Sequence, residues 1–118
     1  MEHFISLTTA IEMTTRFRNY RESILKPDYQ DQDVLPFSET FDRAAFDALL
    51  GEEGAKGLRI YFGMDENLKI HTIIVGVNED DEDILPSLAL ATTEEEPYIL
   101  ENGTRCPKLC PSASPLTN

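Results

Sequence analysis

Residues 58–77 constrain the fold more than any other part of the chain. Leu58-Arg59-Ile60-Tyr61-Phe62 alternates, which puts Leu58, Ile60 and Phe62 on one face of a strand. Residues 69–77 are rich in β-branched side chains and predict a returning strand. Asp65-Glu66-Asn67 supplies a turn, so an antiparallel hairpin is expected. In its second strand Ile73, Val75 and Val77 take one side, and Ile70, Thr72 and Ile74 take the other. A ribbon apolar on both faces needs cover on both. Helices of the same chain or a second copy can give it, which makes a homodimer the expected assembly. A lone hairpin is marginal, so further strands are expected at 34–37, 88–91 or 98–100.

Two helices are expected to flank this ribbon. Over residues 6–25, Leu7, Ala10, Ile11, Met13, Thr14, Phe17, Tyr20, Ile24 and Leu25 fall on one half of a helical cylinder. Ser6 suits its N-cap, and Lys26 before Pro27 marks its end. Arg18 and Arg21 lie in or beside the apolar arc, with stems expected to pack and charges to reach water. A polar loop over 28–34 follows. A shorter helix is expected over 43–50, with Asp42 as cap, Phe41 and Phe46 as a hydrophobic staple, and a buried side of Phe46, Leu49 and Leu50. Gly51 is expected to end it in the left-handed conformation. The whole predicts a single α+β domain over 1–118, with an irregular proline-rich tail at 107–118.

With 118 residues, the chain is long enough for one domain without metal or disulfide support. Its net charge is -12, which argues against nucleic acid and anionic membrane surfaces as partners. The longest aliphatic run is Ile73-Ile74-Val75, and no basic leader with an apolar core is present, so a cytoplasmic location is expected. Glu79, Asp80, Asp81, Glu82 and Asp83 run consecutively, and Glu94, Glu95 and Glu96 add three more acids. The first run lacks the glycine and the closing glutamate of a calcium loop, so it is expected to be solvated. It is also the place where a basic protein partner would bind.

Three groups of residues are candidates for chemistry. Cys106 and Cys110 are separated by three residues, Pro107, Lys108 and Leu109. Two reduced cysteines packing the tail onto the core are the first expectation; a reactive thiol or redox pair and a shared metal site are the alternatives. With only His3 and His71 besides, no zinc site is expected within one chain. Arg59, Tyr61 and His71, with Lys69, form a polar lining that can meet a small anion if the hairpin register brings them together. No serine elbow, phosphate-cradling glycine loop or zinc-protease helix is present, so no catalytic residue and no cofactor is expected.

Three stretches carry a resemblance: Ile5-Ser6-Leu7; Gly57-Leu58-Arg59-Ile60-Tyr61-Phe62-Gly63 with Ile74-Val75-Gly76-Val77; and Arg105-Cys106-Pro107 with Cys110-Pro111 and Ser114-Pro115-Leu116. Together they resemble a family of small uncharacterised bacterial proteins. The resemblance implies a bacterial cytoplasmic origin and a free-standing domain, and it implies no activity. A non-enzymatic binding or protein-interaction module is the leading expectation. The rivals are a thiol-based redox or sensor protein using Cys106 and Cys110, and an acidic inhibitor of a basic partner.

Overall fold

The computed structural model describes residues 2–117. It holds two α-helices, α1 (Leu7–Tyr20) and α2 (Arg43–Leu50), and five strands. These are β1 (Ser38–Thr40), β2 (Gly57–Met64), β3 (Ile70–Val77), β4 (Asp83–Ile84) and β5 (Thr104–Cys106). The fold is α+β, with one antiparallel sheet in the order β2-β3-β4 and a separate β1-β5 ribbon. Among the described residues, no helix is long and apolar enough to cross a membrane.

The expected hairpin forms in full register, from Gly57 opposite Val77 to Met64 opposite Ile70. Asp65 shapes its tip: Oδ1 accepts from the Asn67 and Lys69 amides at 2.8 and 3.0 Å. Such a local carboxylate mimics a backbone turn. Leu68 takes φ 65 at the same tip.

Helix α2 runs over the expected residues, and Phe41 and Phe46 stack with ring centroids 5.8 Å apart. It rests on the Gly76 end of the hairpin. A Cβ on Gly76 would lie 3.5 Å from the Leu49 carbonyl and 3.3 Å from Glu52 Oε1, so the missing side chain gives the helix room. Leu49 is wholly buried there, whereas Leu50 points out to solvent, contrary to the expected buried side. Gly51 closes α2 at φ -82 rather than in the left-handed region, and the left-handed residue is Gly54, three positions later.

Helix α1 differs more. Ser6 caps it as expected, with Oγ accepting from the Thr9 amide at 3.0 Å. It ends at Tyr20, short of Leu25, and buries none of its residues. Beyond Tyr20 the backbone continues as turns, with the Arg21 amide still bonded to the Phe17 carbonyl at 2.8 Å and the Ile24 amide to that of Tyr20 at 3.2 Å. The Arg21 guanidinium lies over the Phe37 ring at 4.3 Å and donates to the Leu35 carbonyl at 2.5 Å. Met13, Phe17, Tyr20 and Ile24 remain exposed. The expectation that both helices sandwich the hairpin is therefore corrected: α2 covers part of one face, and α1 buries nothing.

The extra strands also fall elsewhere than expected. The segment 34–37 precedes β1 rather than forming it, 88–91 holds a 3-10 turn, and in 98–100 only Leu100 bridges to the sheet, at Ile74. Among the described residues, only Val34, Leu49, Ile74, Val75 and Cys106 form the buried apolar core. The accessible surface is 8882 Å². A compact chain of this mass exposes about 6,450 Å², so about 2,400 Å² lies open beyond what folding ordinarily leaves.

Candidate functional site

Part of the open apolar surface lies along β2, and the pairing register shows how it is arranged. The amides of Ile70, Thr72 and Ile74 point away from β2, donating to Val34 O, Glu39 Oε1 and Leu100 O at 2.8, 2.6 and 2.9 Å. In an antiparallel ladder the residue opposite an outward-pointing residue also points outward. Leu58, Ile60, Phe62 and Met64 stand opposite Gly76, Ile74, Thr72 and Ile70. Their amides and carbonyls therefore face the free edge of the sheet, where β2 has no neighbouring strand. Their side chains share one face, and beyond the reach of α2 that face is bare: Ile60 is 56%, Phe62 76% and Met64 59% exposed. An apolar cavity of about 330 Å³ continues from Met64 towards Tyr29, Val34, Leu68 and Ile70.

The opposite face carries the first predicted polar group. Arg59 donates to Asp83 Oδ1 and to Asp81 Oδ1, the latter at 2.5 Å, and the Tyr61 hydroxyl donates to Asp83 Oδ2. The Tyr61 bond, followed by that of Arg59, holds the Asp83 carboxyl below its usual range. The same contacts raise Arg59 and Tyr61, each chiefly through its bond to Asp83. The anion that Arg59 and Tyr61 meet is thus the chain's own acidic run. That run is a closed turn, with Asn78 Oδ1 accepting from the Asp80 and Glu82 amides at 2.9 and 3.0 Å. Glu79, Asp80 and Glu82 stay at the surface, and Asp83 begins β4.

His71 is not part of that group. Its ring reaches Asp65 Oδ2 through Nε2 at 2.8 Å, and Glu39 Oε2 through Nδ1 at 3.3 Å. Glu101 Oε1 lies 3.5 Å from the same Nδ1. The His71 bond, then the Lys69 amide, lowers Asp65 below the usual carboxylate range. Arg59, Tyr61 and His71 thus share a face of the hairpin, but their hydrogen bonds separate them: Arg59 and Tyr61 engage the acidic turn, and His71 engages Asp65 and Glu39. Among the described residues, no group of His, Cys, Asp and Glu is arranged to hold a metal ion.

Cys106 and Cys110 are joined by a disulfide, with Cα atoms 4.6 Å apart. This corrects the expectation of two reduced thiols. Cys106 is wholly buried, opposite Ser38 in the β1–β5 ribbon, and its carbonyl accepts from the Phe37 amide at 2.6 Å. The bridge closes a small loop that leaves Leu109 exposed.

Sequence reasoning named the hairpin but not its free edge. The signal was present: Gly57 to Met64 contains neither proline nor lysine and a single charge, Arg59, whereas natural edge strands are commonly blunted by such residues. No family model matches the chain, and no curated protein and no solved structure matches it.

Proposed function

We propose that the chain is a non-enzymatic protein-interaction module that works as a homodimer, with β2 of one copy pairing antiparallel to β2 of the other. The carrying observation is the unpaired edge of β2 beside the bare row Ile60, Phe62 and Met64. A two-fold axis through this edge sets like beside like. Residues with outward-facing amides meet their counterparts, and one apolar row continues into the other. The product is a six-stranded sheet, β4-β3-β2-β2-β3-β4.

Two further points favour a second copy as the occupant. An interface of standard size takes about 800 Å² from each partner, well within the surplus surface of this chain. Charge also selects the place. Copies carrying -12 each repel one another over most of their surface. At β2 the only charge is Arg59, already answered by Asp81 and Asp83.

Light scattering after size exclusion, in low and high salt, tests this reading. Wild type is expected to run as a dimer that is no weaker in high salt than in low salt, because salt screens the repulsion between copies. Phe62→Lys, which sets a charge in the apolar row, is expected to run as a monomer with an unchanged far-UV spectrum. A wild type that stays monomeric at high micromolar concentration rejects the homodimer.

A further inference from the structure

The strongest remaining feature is the environment of His71, which none of the preceding assigns to a role. The ring is largely enclosed, with 16% of its side chain exposed. Both ring nitrogens face carboxylate oxygens: Nε2 faces Asp65, and Nδ1 faces Glu39 and Glu101. An ionised carboxylate only accepts hydrogen bonds, and a neutral imidazole carries a single N–H. A neutral ring therefore satisfies one side and turns a lone pair against a carboxylate on the other. Only the doubly protonated ring donates to both.

The carboxylates come from different segments. Asp65 shapes the hairpin tip, Glu39 lies on β1, and Glu101 precedes β5. Glu39 matters most, because its side chain is 3% exposed. Its Oε1 accepts from the Thr72 amide and the Thr72 hydroxyl, both at 2.6 Å, so the carboxylate itself stands in for a neighbouring strand on the outer edge of β3. A nearly buried carboxylate needs a nearby cation. Arg105, its cross-strand neighbour on β5, is directed elsewhere, donating to the Ile70 carbonyl and, at 2.6 Å, to that of Asp33. Lys69 is two residues away and makes only a backbone bond to Asp65. Among the described residues, His71 is the basic side chain that lies within 4 Å of a Glu39 carboxylate oxygen.

We propose that His71 is a proton-operated latch holding the β1–β5 ribbon against the outer edge of β3. With both ring protons in place, the imidazolium ties Glu39, Asp65 and Glu101 together. When the ring gives up a proton, Glu39 or Asp65 loses its donor, and the ribbon's hold on Thr72 weakens. The latch is tight while both ring nitrogens carry protons and slackens when rising pH removes one of them. This inference stands on different residues from the β2 edge and does not depend on the dimer.

Amide hydrogen exchange between pH 5 and 8, corrected for the intrinsic pH dependence of exchange, tests the latch. In wild type, protection of the Thr72 amide is expected to fall roughly tenfold or more with rising pH, the size expected for a hydrogen bond to a charged group. Protection of Ile73, whose amide points into the β2–β3 ladder, is expected to stay level, which separates local loosening from unfolding. In Glu39→Gln the amide oxygen still accepts from Thr72 but carries no charge, and the pH response is expected to vanish. His71→Gln is expected to abolish it too. Level Thr72 protection in wild type, or an unchanged response in Glu39→Gln, overturns the proposal; should His71→Gln fail to fold, Glu39→Gln still decides.

Discussion

The two edges of the β2–β3 ribbon meet opposite fates. The outer edge of β3 is closed by four separate pieces of chain: Val34, the Glu39 side chain, Leu100 and β4. The outer edge of β2, equally long and equally apolar, is left bare. The difference shows where the chain invests its non-local structure. Segments distant in sequence converge on the edge of β3 and bury Ile74 and Val75, while among the described residues no strand pairs with the outer edge of β2. Saturation of one edge ends the sheet there, and an unguarded edge leaves it open to growth.

The sharpest way to break this comparison is to remove one apolar side chain from each side. Leu49 is wholly buried where α2 meets the Gly76 end of the sheet. Leu49→Ala is expected to destabilise the fold by about 2–5 kcal/mol, the cost of lost burial plus a cavity. Phe62→Ala, at a side chain 76% exposed, is expected to change the stability of the isolated chain by less than about 0.5 kcal/mol while weakening self-association. Urea unfolding at low protein concentration measures the first effect, and sedimentation measures the second. Equal losses of stability for the two variants would mean that β2 is covered within one chain.

A smaller effect is expected at the side chain that closes β3. Glu39→Ala leaves the Thr72 amide and hydroxyl without their acceptor. A buried donor stripped of its partner costs about 1–3 kcal/mol. The loss should appear in urea unfolding, together with faster exchange at Thr72. Unchanged stability would show that the β1–β5 ribbon does not hold that edge.

The sequence made some of these features legible and hid others for physical reasons. The hairpin, α2 and the Phe41–Phe46 staple rest on contacts between residues close in the chain, so local alternation and capping reveal them. The closing of β3 rests on Val34, Glu39 and Leu100, whose roles depend on where the chain returns, and no local pattern encodes that. The place of Arg21 has the same origin: its side chain meets the Phe37 ring and the Leu35 carbonyl, sixteen and fourteen residues onward. The polar site illustrates register. Arg59 and Tyr61 share a face with His71, yet Gly63 rather than a polar residue stands opposite His71, and the ring turns to Asp65 and Glu39 instead. Periodicity also describes which residues are apolar without saying whether anything covers them, and so it placed α1 on the sheet.

The mildest predicted effect concerns β4, the weakest of the pieces that close β3. Asp83 begins β4 and draws Arg59 and Tyr61 across the sheet. Its carboxyl is held below the usual range by those bonds. A lowered folded-state pKa contributes stability that is present above the unfolded value, about 3.9, and is lost as pH falls through the folded one. Asp65 adds a loss of the same sign, and protonation of the many other acids relieves self-repulsion over the same range. The part belonging to Asp83 is therefore read as a difference. The melting temperature of wild type is expected to fall more steeply between pH 5 and 2.5 than that of Asp83→Asn, with the dimer–monomer balance at neutral pH the same in both. Parallel melting curves would show that β4 stays in place without its acid. A shifted dimer balance would instead tie the closed edge to the open one, because Arg59, released from Asp83 and held by Asp81 alone, would then be a less fully answered charge on β2.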